Sequence, residues 1–165
     1  MKRILSLFFV LIFVSTPSVA DDPYDMKSTQ RPSPEIITGG QLSQADVARL
    51  KAEGVTTIIN LRAPREFDQT TVRNQADAEG IAYYNFPVSG REALSLDNAK
   101  RVDTLLKKVS GKTLIHCGSG NRVGGIMAIR AHLIEGKSKE EALALGRAIG
   151  MSGGTEEQVL KLFNE

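Results

Sequence analysis

The sequence predicts an α/β fold: a mainly parallel sheet of four to five strands, flanked by helices in three layers. Three observations carry this. Short apolar or β-branched runs at residues 35–38, 55–60, 81–88 and 112–116 alternate with stretches that read as helices. The helical stretches carry start and stop signals, such as Ser43 with Asp46, Ser138 with Glu141, and Gly54 and Gly80 as terminators. Residues 113–122, Thr-Leu-Ile-His-Cys-Gly-Ser-Gly-Asn-Arg, read as a buried strand that turns through glycines into a helix.

Along the chain, Lys2 and Arg3 precede an apolar run over residues 4–14, and Ser18-Val19-Ala20 supplies the small residues of a cleavage site. Residues 1–20 are therefore expected to be a secretory signal peptide cut after Ala20, giving a periplasmic or secreted protein. The apolar run is too short to span a bilayer comfortably, so no stable membrane anchor is expected after cleavage. Residues 21–33 are polar, contain Pro23 and Pro32, and read as a flexible leader. Residues 34–165 form the expected single domain.

Within it, residues 35–38 form a first strand closed by Gly39-Gly40. Ser43 caps a helix to about residue 53, and residues 55–60 form a buried strand. A loop with Pro64 leads to a helix over about 70–79, a strand over 81–88, and a loop over 89–93. Ser95 caps a helix to about residue 108, and residues 112–116 enter the glycine loop. Three helices finish the chain: one following Arg122, one from Ser138 to near Gly150, and one from Thr155, with Gln158 in its capping box, to about Phe163.

Composition narrows function. Without Lys2 and Arg3 the basic and acidic residues balance, so no nucleic-acid footprint is present and no basic block favours a membrane surface. Cys117 is the single cysteine, so no internal disulfide is possible. Only two histidines and one cysteine, with His132 apart from the others inside an expected helix, argue against a zinc site. A strand-to-helix loop aims backbone N–H groups at an anion, and the helix N-terminus favours a thiolate. Arg122 adds a permanently charged fork suited to oxyanions. Ligands of such folds bind at the carboxyl ends of strands, where Cys117, Arg62 and the loop around Glu92 are all expected.

His116-Cys117, then glycines, then Arg122 resembles the signature loop of the protein tyrosine phosphatase superfamily, with the closest likeness to its small atypical dual-specificity-like group. Ile58-Ile59-Asn60-Leu61-Arg62 followed by Glu66, Ser89-Gly90-Arg91-Glu92, and Gly39-Gly40-Gln41 extend the likeness over about residues 34–150. The resemblance implies a phosphatase-like fold and cleavage of phosphate monoesters through a phosphocysteine at Cys117. It also implies that Arg122 and the N–H groups of Gly118, Ser119, Gly120, Asn121 and Arg122 bind the phosphoryl oxygens, that His116 supports the loop, and that no metal or organic cofactor is needed. The implied partner is a phosphorylated small molecule or protein.

The chain departs from the usual pattern at three points. Four residues separate Cys117 from Arg122 where the superfamily usually has five; Val123 replaces a hydroxyl residue; and Glu92 is the nearest carboxylate where an aspartic general acid is usual. Arg62 is the best candidate among Arg62, Arg65 and Arg91 for attracting a polyanion. The short spacing resembles rhodanese-like sulfurtransferases, so sulfur transfer through a Cys117 persulfide is the alternative function. A non-catalytic module that binds anions or senses oxidation is the second alternative.

Overall fold

The structure, a computed structural model, describes residues 24–90 and 92–165. The expected signal peptide and Arg91 lie outside the described residues. Five strands form one sheet in the order β1-β2-β5-β3-β4. They are β1 (Gln30–Ser33), β2 (Ile36–Gly39), β3 (Val55–Asn60), β4 (Ala82–Asn85) and β5 (Lys112–His116). Only the β1–β2 pair is antiparallel, and the other three pairings are parallel.

Central β5 is buried from Thr113 to His116, with its apolar pair Leu114-Ile115 in the middle, because both faces of the sheet are covered. Leu114 and Ile115 point to opposite sides, as do Ile58 and Ile59 of β3, and all four are fully buried. Ile58 and Leu114 pack with Val47, Leu50, Val72 and Ala76 of α1 (Gln44–Ala52) and α2 (Thr70–Ala78). Ile59 and Ile115 pack against α3 (Leu96–Lys108), α4 (Asn121–Leu133), α5 (Lys139–Ile149) and α6 (Gly154–Leu162). Burying each such aliphatic side chain contributes roughly 1.5–3 kcal/mol.

The Ser43/Asp46 and Ser138/Glu141 capping boxes both form, and Ser95 caps α3 through the Asn98 N–H. Three expectations need correction. Residues 30–33, read as leader, form edge strand β1, while Tyr24 and Met26 are buried beside Ile37. Pairing with β2, not local propensity, fixes that segment. The strand expected over 81–88 is regular only over Ala82–Asn85; Phe86 and Val88 still donate to the Asn60 and Leu61 carbonyls, but Pro87 has no N–H to continue a ladder. The last helix begins at Gly154 behind Gly153, with no side-chain cap, so the Thr155/Gln158 box does not form.

The packing of α4 on α5 matters for the site. A Cβ at Gly124 would lie 2.5 Å from the Gly146 carbonyl oxygen, so only glycine lets the two backbones approach this closely.

Candidate active site

Central β5 ends at His116, level with Gly39 of β2 and Asn60 of β3. The Cys117 N–H donates to the Gly39 carbonyl (3.2 Å), and the Leu61 N–H donates to the His116 carbonyl (2.9 Å). Cys117 thus sits where three parallel strands stop, and it is only 1% exposed.

The next residues form a ring whose orientation follows from where its carbonyls go. The Cys117 oxygen faces His116 Nδ1, the Gly118 oxygen accepts from the Gln41 N–H (3.1 Å), and the Gly120 oxygen accepts from the Gly124 N–H (2.8 Å). In a trans peptide the following N–H points the opposite way, so the N–H groups of Gly118, Ser119 and Asn121 turn toward the loop interior. Gly120 has φ 86°, and a Cβ there would meet the Ile149 carbonyl at 2.6 Å. The loop is therefore pressed from behind by the end of α5.

The helix that follows begins at Asn121, so Arg122 lies in its first turn. The guanidinium is held in one orientation. Nη1 donates to Glu66 Oε1 (3.0 Å) and to the Val88 (3.1 Å) and Leu61 (3.3 Å) carbonyls, and Nη2 donates to Glu66 Oε2 (2.6 Å). A bidentate pair takes one edge of the fork and leaves Nε–H and the second Nη2–H for the loop side. Burial alone would lower the Arg122 pKa. The Glu66 hydrogen bonds and the adjacent Cys117 outweigh burial and raise it.

Glu66 is the hub of this arrangement. Its Oε1 also accepts from the Ala63 N–H (3.0 Å) and the Ser89 hydroxyl (3.2 Å). Chiefly through the Arg122 hydrogen bond, and against the desolvation that opposes it, its carboxyl is held down to about 2. Such a group stays ionised and cannot donate a proton near neutrality. The sequence placed Glu66 only as part of the family likeness. Its spacing after Arg62, just beyond a buried strand, was the available signal.

The structure gathers Cys117, Gly118, Ser119, Gly120, Asn121 and Arg122 into one loop and puts His116 beneath it. Burial pushes the His116 pKa down to about 4, against backbone hydrogen bonds at Cys117 and Gly40, so the ring is neutral. The Asn121 Oδ1 accepts from the Ser152 N–H (3.0 Å). Arg62, expected as a substrate ligand, has both terminal nitrogens bonded within the protein, while its buried Nε has no hydrogen-bond partner among the described residues. It donates from Nη1 to Gln41 Oε1 and from Nη2 to the Glu66 carbonyl (2.8 Å), and it lies 4.7 Å from the Phe67 ring centre. Arg65 is exposed in the short 3₁₀ turn at Pro64–Glu66. Glu92 does not join the Arg122 network. It is exposed in a turn, with its carboxylate lying over Gly90. Gln41 and Ser89 are members of the site that sequence reasoning did not assign.

A parallel sheet that delivers a cysteine into an N–H ring closed by an arginine is the architecture of phosphatases of the protein-tyrosine-phosphatase kind. A putative phosphatase from Neisseria meningitidis superposes with a TM-score of 0.68 at 20% identity, covering 83% of this chain and 96% of that one. The core catalytic domain of a PP-IP phosphatase from S. cerevisiae, in complex with citrate, gives 0.62 at 20% identity, covering 82% and 85%. Both likenesses speak to the fold.

The chain belongs to the family described as DSP-PTPase phosphatase fused to NAD+ kinase, whose profile matches residues 14–161. A beta-lactamase hydrolase-like protein from Xylella fastidiosa is 28% identical over 124 residues, which is 72% of this chain. That stretch spans 28% of the relative's own length. The chain is thus a member of a small, atypical, dual-specificity-like group of phosphatases.

Proposed function

We propose that the protein is an exported cysteine-dependent phosphatase that cleaves phosphate monoesters. The observation that carries this reading is the Arg122 fork, locked by Glu66 so that its remaining N–H groups share the loop with Cys117. In the proposed reaction the Cys117 thiolate attacks phosphorus and forms the P–S bond as the P–O bond to the leaving group breaks. Arg122 and the loop N–H groups stabilise the charge on the three equatorial oxygens. The leaving oxygen takes its proton from an acid, for which Glu92 is the candidate, and water then cleaves the P–S bond to release phosphate. No step calls for a metal or organic cofactor.

Sulfur transfer is the second reading, favoured by the four-residue interval between Cys117 and Arg122. There, the sulfane sulfur of thiosulfate would pass to Cys117 with release of sulfite, and then to cyanide as thiocyanate. One paired assay separates the two. Protein beginning at residue 21 is given an aryl phosphate and, separately, thiosulfate plus cyanide. The phosphatase reading requires phosphate release that disappears in Cys117→Ser and Arg122→Ala. Thiocyanate without phosphate would establish the second reading. Silence in both with retained phosphate binding would leave an anion-binding or redox-sensing module. Export is tested by the N-terminal sequence of the periplasmic protein, expected to start at Asp21.

A further inference from the structure

Among the described residues strand β4 is one edge of the sheet, and just past its end Phe86 and α3 enclose a cavity of about 310 Å³. Phe86, Arg101, Thr104, Leu105 and Lys108 line it. Two of these five are cations and none is an anion. The Arg101 guanidinium lies 4.5 Å from the Phe86 ring centre, so its charge is fixed over an apolar floor made by Phe86 and Leu105. Tyr84 adds an exposed aromatic ring (41%) on the same face of β4, since its neighbour Tyr83 packs into the opposite core.

Among the described residues no strand pairs with this edge. Phe86 and Val88 direct their N–H groups inward, to the Asn60 and Leu61 carbonyls. By alternation Tyr83 and Asn85 direct theirs outward, where β4 has no strand neighbour among the described residues. The opposite edge, β1, carries Pro32, the usual device against strand addition, whereas Ala82-Tyr83-Tyr84-Asn85 contains neither proline nor charge.

We propose that β4 and α3 form a docking surface for an extended acidic segment of another polypeptide. The segment adds as a strand to β4, sets an apolar side chain on Phe86 and Leu105, and pairs its carboxylates with Arg101 and Lys108. The choice of an acidic occupant rests on the charge of the lining. The edge leads through Phe86-Pro87 to Val88, whose carbonyl holds Arg122, so a docked chain runs toward the catalytic loop.

The test uses a fluorescein-labelled, unphosphorylated octapeptide that alternates Glu with Val and Leu, and a matched peptide with Lys in place of Glu. Binding is read by anisotropy, and aryl phosphate turnover is read separately. The Glu peptide is expected to bind and the Lys peptide not to bind. Arg101→Glu with Lys108→Glu should weaken the Glu peptide at least tenfold while leaving the protein folded and aryl phosphate turnover unchanged. Arg122→Ala should bind the Glu peptide as the wild type does, since its site is elsewhere. Equal binding of the two peptides, undiminished binding by the double variant, or loss of binding in Arg122→Ala would each overturn the proposal. Because the probe carries no phosphate, absence of phosphatase activity would overturn only the reaction assigned to Cys117.

Discussion

Replacing Glu66 by Gln tests the site most sharply, because it removes one charge and keeps the shape. In the structure Glu66 supplies both acceptors for the Arg122 fork, at 3.0 and 2.6 Å. A charge-assisted bond of this kind contributes about 1.5–3 kcal/mol when intact. The glutamine amide can still accept on one side but presents N–H to the other guanidinium nitrogen, so the fork must rotate or lose a partner. Arg122 then no longer offers Nε and Nη2 together to an oxyanion. Removing one oxyanion donor elsewhere costs about 10²–10³ in rate. Because Arg122 is displaced rather than deleted, we expect kcat/KM on an aryl phosphate to fall about 10–100-fold.

The effect on stability is smaller. The folded carboxyl is depressed from 4.5 to about 2, a ceiling of about 3 kcal/mol. With the Glu66 side chain 28% exposed, screening reduces this to roughly 1 kcal/mol. A depressed carboxyl stabilises the fold above pH 4.5 and loses that contribution as pH falls through 4.5 toward 2. Glu66 therefore stays ionised through the neutral and mildly acidic range in the folded protein. Steady-state kinetics beside thermal melting decide the matter. Wild-type kcat/KM in Glu66→Gln would refute the reasoning, as would a rate loss explained wholly by unfolding.

Three further outcomes are expected. His116 is neutral with a pKa near 4 against an ordinary 6.5, so its unfolded form binds a proton first, and stability should fall by about 3 kcal/mol as pH drops from 6.5 to 4. Urea unfolding across that range checks this, and a flat profile for the His116 contribution, measured against His116→Gln, would contradict it. Gly124→Ala should cost about 1–3 kcal/mol by denaturant melting, because the new methyl meets the Gly146 oxygen at 2.5 Å; a neutral result would mean that α4 and α5 can separate. Glu92→Gln should slow aryl phosphates with poor leaving groups more than those with good ones, and an equal effect on both would remove Glu92 from proton transfer.

What could be read in the sequence was what is local. Residues 112–122 declare a strand, a glycine turn and a helix within one short stretch, and the structure builds all three. Ser43 and Ser138 announce their helices through residues three positions on. Strand β1 was illegible because Gln30-Arg31-Pro32-Ser33 has no strand pattern and is extended only by its neighbour β2. The ion pair between Glu66 and Arg122 joins side chains 56 positions apart, so no spacing rule reveals it. The hydrogen bond between Arg62 and Gln41 depends on β2 and β3 flanking β5, an order that chain position does not encode.

The two sides of the anion ring are secured by different forces. Toward α5, Gly120 abuts the main chain at Ile149, a contact that salt and acid leave untouched. Toward residues 62–66 and 88–89, much of the hold comes from polar bonds that meet at a single carboxylate. Changes of medium will therefore loosen the mouth on one flank only, and the opposite flank will keep its shape until the whole domain melts.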